Sequence, residues 1–400
     1  MKILHVDETF HPNFGYQCNP LAKFQQKAGH EVFIIAPEAK YIYHVYHDFN
    51  EYGETLDEDD LRYETETGVS IIRVHARGKI LNRLDYKMGE LFQAIDNIRP
   101  DVIMVHCVET LTAMRLMRRL RRRYPMVFDS HMLKMASSNK FAKVYEMGYR
   151  IFYTSIIKHE GYMVIKTQND NYVTDQLGVP PEQTKYISFG TDTKLFAPNN
   201  EIKKEFIKQH GLSEDSLIIT STGKLNKAKG GLLLAEAVKK KFNTKRPVVI
   251  VIVADFSKPY ELQVKEMLMH SENRVFFYPV QKYQELPRFY QIADIAVFPR
   301  QCSMSFYDAQ SCGNVVVSES NNVNEDRNSH ENGLCFVSGD SDDLRKKIEL
   351  LANLDITKFE RMKNNSIKFI QDNYSYEKIA ELYTNELVLA KQKFDCKYKK

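Results

Sequence analysis

The sequence predicts an α/β protein built from two doubly wound parallel sheets, and three observations carry that reading. At roughly 150 residues per domain, 400 residues correspond to two or three domains. The apolar runs are short, rich in β-branched residues and unbroken by polar alternation, as in strands covered on both faces of a parallel sheet. Amphipathic segments of helical length lie between them, and alternating strand and helix is the pattern of doubly wound folds.

In chain order, the first set of runs occupies residues 2–6, 31–36, 69–75, 101–108, 126–130, 162–166 and 185–189. The second set occupies 217–221, 247–254, 274–278, 295–298, 314–318 and 334–337. Helices are expected at 19–27, 88–98, 110–124, 232–241, 260–269 and 344–351. Gly, Asp, Pro and paired Asn in residues 190–200 mark a seam, giving domains 1–190 and 200–375 and a final segment 376–400 with a helix at 376–394. Residues 40–60 are the least regular part. Their acidic run, Asp57 to Asp60, has no His or flanking strand to make a metal site and is expected to be a solvated loop. His44 and His47 are read as surface residues.

Composition excludes several classes. With 43% hydrophobic and 27% charged residues the chain is globular, and a net charge of +4 is too weak for a dedicated nucleic-acid binder. The longest apolar run, 248–254, falls far short of the ~20 residues that span a bilayer. The start, MKILHVDETFHP, reads as a strand and not a signal peptide, so a cytoplasmic protein is expected. Six cysteines without a CxxC pair indicate neither zinc nor a disulfide framework, and Cys302 and Cys312 read as small buried hydrophobes.

Three segments can carry chemistry. After the first strand, HPNFGYQCNP places Gly15 and Tyr16 where a loop meets a helix N-terminus, a position suited to an anion and equally to an ordinary turn. GKLNKAKGG, residues 223–231, sets Lys224 and Lys229 five apart in a glycine-bounded loop, where both can reach one diphosphate; it is not a P-loop. PRQCSMSFYDAQSCG, residues 299–313, leaves a strand through a small-residue loop into a helix beginning near Ser305. Asp308 lies in its first turns, at the carboxyl end of a parallel sheet, where it can accept ribose hydroxyls.

With the seam, these segments resemble the retaining GT-B glycosyltransferases of the GT4 group, also called glycosyl transferases group 1. The resemblance covers essentially the whole chain. PDVIMVH ends at His106, VFDSH at His131, and YISFGTDTKLF matches the family's seam. GKLNKAKG parallels GRLxxxKG, and ELPRFYQIADIAVFP, residues 285–299, parallels ELPxLYxxADxxVxPS. Two departures stand out: Tyr16 replaces the second glycine of PxxGG, and Arg300 stands where the family has the first Glu of its E-x7-E element, Asp308 aligning with the second.

The resemblance implies two Rossmann-like domains facing each other across a cleft, the first for the acceptor and the second for the nucleotide sugar, with the C-terminal helix crossing back to the first. It implies retaining, metal-independent transfer of a hexose or N-acetylhexosamine from a nucleotide sugar, UDP more than GDP, with no cofactor. The acceptor would be a cell-surface glycan, glycolipid or glycoprotein. His131, Lys224, Lys229 and Asp308 are the implied catalytic residues. Gly15, Tyr16, Tyr278, Cys302, Ser303, Met304 and Ser305 join the two lysines and Asp308 around the donor, with the base near residues 278–282. Arg300 leaves a second reading, a catalytically silent subunit that binds a glycan or partner transferase.

Outside these segments, RLMRRLRRR holds Arg115, Arg118, Arg119, Arg121, Arg122 and Arg123 on one expected helix. It reads either as a solvated cationic face or, with Leu116, Met117 and Leu120 as an apolar stripe, as a contact with anionic lipid at the inner face of the membrane.

Overall fold

The computed structural model describes residues 1–38, 40–41, 56–80, 83–134 and 142–399, which form two compact units. One comprises Met1–Phe189 with Tyr376–Lys400, the other Gly190–Ser375.

The first unit contains β1 (Lys2–Val6), β2 (Glu31–Pro37), β3 (Ser70–Val74), the antiparallel pair β4 (Ala76–Ile80) and β5 (Arg83–Tyr86), then β6 (Val102–Val105), β7 (Met126–Ser130), β8 (Met163–Lys166) and β9 (Thr184–Tyr186). Its main sheet is parallel throughout, in the order β3-β2-β1-β6-β7-β8-β9. The second unit contains β10 (Leu217–Thr222), β11 (Val248–Val253), β12 (Arg274–Tyr278), β13 (Ile295–Phe298), β14 (Val315–Glu319) and β15 (Gly333–Phe336). These are also parallel, in the order β12-β11-β10-β13-β14-β15.

Both orders reverse once, between β1 and β6 and between β10 and β13. At such a switch point adjacent loops leave in opposite directions, and a crevice opens beyond the carboxyl ends of the strands. The unbroken apolar runs follow from the layering. Ile250 and Ile252 of β11 pack into one helical layer of the second unit, while Val249, Val251 and Val253 pack into the other.

Helix starts are fixed by short polar side chains that accept orphan backbone N–H groups. Asn321 takes those of Val323 and Asn324, and Asp340 those of Asp342 and Asp343. The last helix, Tyr376–Tyr398, packs on the helix Cys18–Lys27; Gln17 Nε2 donates to Tyr383 Oη at 2.5 Å, and Lys185 pairs with Glu386 at 2.6 Å.

Two expectations need correction. Asp57 to Asp60 are not loop residues but belong to the helix Leu56–Thr67, which the tyrosine- and acid-rich composition concealed. Asp59 is buried and accepts from Asn13 Nδ2 at 2.7 Å, while Asp60 takes Arg73 Nε and Nη2 at 2.8 and 2.6 Å. Leu116, Met117 and Leu120 are fully buried in the first core and offer a membrane nothing. The helix carrying them stops at Leu120, with Arg121 as its cap. His44 and His47 lie outside the described residues. Among the described residues no helix is long and apolar enough to cross a membrane.

Candidate functional site

Two segments meet at the switch point of the second sheet. Residues 223–230 leave β10 and residues 299–304 leave β13. Gly223, Gly230 and Gly231 make the first possible. Gly223 and Gly230 have φ of +105° and +76°, and a Cβ on Gly231 would stand 2.0 Å from the Leu225 carbonyl oxygen. Asn226 Oδ1 accepts the Lys229 N–H at 3.0 Å, so the lysine backbone is held before its side chain does anything.

Lys229 Nζ then reaches the Cys302 carbonyl oxygen at 3.4 Å. From the other side, buried Arg327 donates Nη1 to the Ser303 carbonyl at 3.0 Å, its guanidinium 5.2 and 4.7 Å from the ring centroids of Phe306 and Tyr307. Two cations thus fasten the 302–305 loop by its carbonyls, with Met304 and Ser305 leading into the helix Ser305–Ser311. Burial, and then the charges of Arg327 and Lys224, push the Lys229 pKa down. Lys224 is exposed at the loop's edge. Arg327 was not read from the sequence: a lone arginine in NVNEDR carries no pattern signal.

Asp308 is buried, and its Oδ1 takes the Thr191 hydroxyl at 2.5 Å. Burial, with help from nearby Asp192, pushes its pKa up to about 7. Arg300, where the family has Glu, lies with Nε 3.5 Å from Glu319 Oε1, which also accepts from Ser338 Oγ and the Gly339 N–H.

Beyond the ends of β11 and β12 a pocket of about 410 Å³ is lined by Ala254, Asp255, Phe256, Ser257, Lys265 and Phe277 together with Tyr278 and Pro279. Lys265 sits over the Phe256 and Phe277 rings at 5.3 and 5.9 Å. The Tyr278 ring turns the other way, edge-on to Phe289, its hydroxyl 3.4 Å from His210 Nε2. A second pocket, lined by residues including Val248 and Arg274, opens at the amino ends of the same strands, away from the loops.

The switch point of the first sheet is occupied by a buried polar chain. His5 on β1 and His106 after β6 meet through Nδ1 and Nε2 at 3.0 Å, with rings within 14° of coplanar. His106 Nδ1 lies 2.7 Å from Asp129 Oδ2, Asp129 Oδ1 accepts the Cys107 N–H at 2.7 Å, and His5 Nε2 lies 2.7 Å from Gln25 Oε1. A carboxylate only accepts, so His106 carries a proton on Nδ1. Burial and His106 lower the His5 pKa to about 3, whereas Asp129 overrides burial and lifts that of His106 well above the usual range. His5 is therefore neutral and His106 is the cation, and each link has one donor and one acceptor.

His131 follows β7, its Nε2 3.3 Å from the same Asp129 oxygen and its ring edge-on to Phe189. Burial opposes, but Asp129 raises, its pKa as well. Asp129 and His5 were not singled out in the sequence, although a charged residue in VFDS and an imidazole in KILHV, both inside apolar strands, were the available signal. Gly15 and Tyr16 lie in the β1-to-helix turn, where the Tyr16 carbonyl accepts the Asn19 N–H at 3.0 Å.

Metal-type ligands do gather here, in the groups His5, Cys18, His106 and His106, Asp129, His131. A nitrogen-to-nitrogen line of 3.0 Å holds a proton and not a metal with bonds of about 2.0–2.1 Å to each nitrogen. As arranged, His5, His106 and Asp129 satisfy one another, while His131 Nε2, 3.3 Å from Asp129, makes no hydrogen bond among the described residues.

Two parallel sheets, each with a cluster of polar side chains at its switch point, have the architecture of the GT-B fold. A family model described as "Glycosyl transferase 4-like domain" matches residues 15–190, and one described as "Glycosyl transferases group 1" matches residues 202–369. The chain belongs to the group 1, GT4-type glycosyltransferases. Similar solved structures include a glycosyltransferase from Rickettsia africae (16% identity, 98% of both chains, TM-score 0.71). Others are Anabaena HepE in complex with UDP and glucose (17%, 97% of this chain and 99% of that, 0.71) and the sucrose-phosphate synthase of Thermosynechococcus elongatus (17%, 98% and 99%, 0.70). No curated protein matches the chain in sequence.

Proposed function

We propose that this chain is a retaining, metal-independent transferase that moves a hexose or N-acetylhexosamine from a nucleotide sugar, UDP more than GDP, to a cell-surface glycan, glycolipid or glycoprotein. The observation that carries this reading is Lys229, held by its backbone and tied to the Cys302 carbonyl at the second switch point. Cleaving a sugar–diphosphate bond leaves negative charge on the diphosphate, and preformed cations stabilise that charge as it develops. Lys229 and Lys224 supply them, while Arg327 holds the adjoining loop. The Anabaena protein's complexes with UDP and with UDP-glucose support the choice of donor. The pocket beyond β11 and β12, with Phe256 and Phe277, takes the base, and Asp308 the ribose.

In the first unit, His131 is the group offered to the sugar, and Asp129, 3.3 Å from its Nε2, favours its protonated form against the effect of burial. The anomeric C–O bond to the diphosphate breaks with its electron pair going to the phosphate oxygen, while an acceptor hydroxyl bonds to the oxocarbenium-like carbon from the same face and gives its proton to that phosphate oxygen, so no protein nucleophile is required.

Titration calorimetry with UDP and GDP tests the donor site. Wild type binds UDP, and Lys229→Ala and Asp308→Ala each bind it at least tenfold more weakly. Equal affinity in all three proteins removes this site from the account. Arg300 favours the second reading, a silent subunit, because its guanidinium is engaged by Glu319 where the family has an acid. Such a subunit binds nucleotide without releasing sugar.

A further inference from the structure

The first unit carries an apolar ridge that the transferase reading does not use. Residues 142–160 form one helical rod: an α-helix Ala142–Tyr149, a π-helical turn Arg150–Thr154 and an α-helix Ser155–Glu160. Its inner side is explained by packing. Tyr149 and Ile157 are buried in the first core, and Tyr145, Tyr153 and Ile156 lie against it. The outer side is not. Val144, Met147, Ile151 and Phe152 are 64, 59, 61 and 57% exposed. Fourteen large hydrophobic side chains are exposed among the described residues, and four of them fall within these nine positions. Single exposed apolar residues need no explanation; a contiguous row marks a contact surface.

The charges around the ridge identify the partner. Lys143 and Lys158 are exposed on the rod itself, while the Arg150 guanidinium donates to the Gln176 and Asp175 carbonyls. The Arg118 guanidinium lies 5.6 Å from the Tyr153 ring centroid, so the arginine-rich helix end, with exposed Arg119, Arg121 and Arg122, adjoins the rod. Acidic neighbours are already engaged. Glu160 takes the Tyr398 hydroxyl at 2.5 Å and lies 3.8 Å from Lys397, Asp175 pairs with Lys134, and Glu146 is half-buried. The helix thus presents a convex apolar row flanked by long cationic side chains. A bilayer interface accepts apolar groups at the acyl boundary and cations at the headgroup phosphates.

We propose that this rod and the adjoining arginines form a docking surface for an anionic lipid bilayer, with Val144, Met147, Ile151 and Phe152 entering the interface. The apolar half is supplied by this rod, because Leu116, Met117 and Leu120 of the arginine-rich helix point into the core. The proposal is independent of the transferase reading.

The chain has no tryptophan, so Phe152→Trp introduces a single reporter. With full-length Phe152→Trp protein and phosphatidylcholine/phosphatidylglycerol vesicles at 7:3, emission shifts to the blue and is quenched by lipids brominated in the acyl chain. In parallel co-sedimentation, Met147→Glu/Ile151→Glu lowers partitioning at least tenfold with an unchanged melting temperature, and Arg118→Gln/Arg119→Gln/Arg122→Gln removes the preference over pure phosphatidylcholine. Absence of a shift, or equal partitioning of wild type and the Met147→Glu/Ile151→Glu variant, overturns the proposal. So does a concentration-dependent dimer that the same variant abolishes without any vesicle binding, because the ridge is then a self-association face.

Discussion

At the scale of single residues, the two switch points store charge differently. Lys229 is half-buried beside like charge, so its ammonium is disfavoured until an anion arrives. Binding a diphosphate removes that conflict and draws the pKa back up, so UDP binding takes up protons increasingly as the pH rises towards the lowered Lys229 pKa, measurable as a buffer-dependent calorimetric enthalpy. Lys229→Ala abolishes the uptake. Asp308 has the opposite character. Its carboxyl is pushed up to about 7 by burial, so between about pH 4 and 7 the folded form holds a proton that the unfolded chain has released. Stability of the second unit therefore falls as pH rises through that window, and Asp308→Asn flattens the fall in urea titrations at pH 5 and 7.5.

The His106–Asp129 pair stabilises by compensation. A raised His106 pKa gives stability that is full below about 6.5 and lost only as pH climbs through the raised value. At low pH, where His106 must stay protonated, Asp129→Asn leaves a buried imidazolium unpaired, at a cost of about 3–5 kcal/mol. Without Asp129, burial lowers the His106 pKa, and the variant gains stability between pH 5.5 and 8 where wild type does not. Of this chemistry, the sequence displayed Lys229, Asp308 and His131 because each sits beside a strand end in a recognisable string. Thr191 and Arg327 were hidden, since their partners come from distant strands and helices and only folding brings them together, while Asp129 showed only as a charge inside an apolar strand.

At the scale of elements, the loop after β10 is most sensitive sterically at Gly231, the last of its three glycines. A Cβ on Gly231 meets the Leu225 carbonyl at 2.0 Å and Val264 Cγ2 at 2.9 Å, and backbone cannot yield as a flexible side chain can. Gly231→Ala is expected to cost about 3 kcal/mol or more and to weaken UDP binding through displaced Lys229. Thermal denaturation with and without UDP checks both. The strands were legible because a buried parallel strand has no polar alternation to confuse it: residues 2–6 were expected and Lys2–Val6 is found. The helix Leu56–Thr67 was missed because its inward contacts are made by Asp59 and Tyr63 rather than an apolar stripe. The rod 142–160 was missed for the reverse reason. It is apolar on both sides, and the period that signals an amphipathic helix is absent.

At the scale of the whole molecule, a net charge of +4 conceals two separate concentrations of cations. One is Lys224, Lys229 and Arg327 around the second switch point. The other is the arginine-rich helix end beside the exposed row of Val144, Met147, Ile151 and Phe152. Each is matched by the chemistry around it, fixed carbonyls and glycines in the first case, apolar side chains in the second. The central claim is that the first concentration serves nucleotide-sugar cleavage. It is tested most directly by measuring UDP or GDP release from a panel of nucleotide hexoses and N-acetylhexosamines. Wild type is expected to turn over at least one donor, with Lys229→Ala and Asp308→Ala each reducing that rate at least a hundredfold. No release from any donor, together with unchanged nucleotide affinity in both variants, would contradict it.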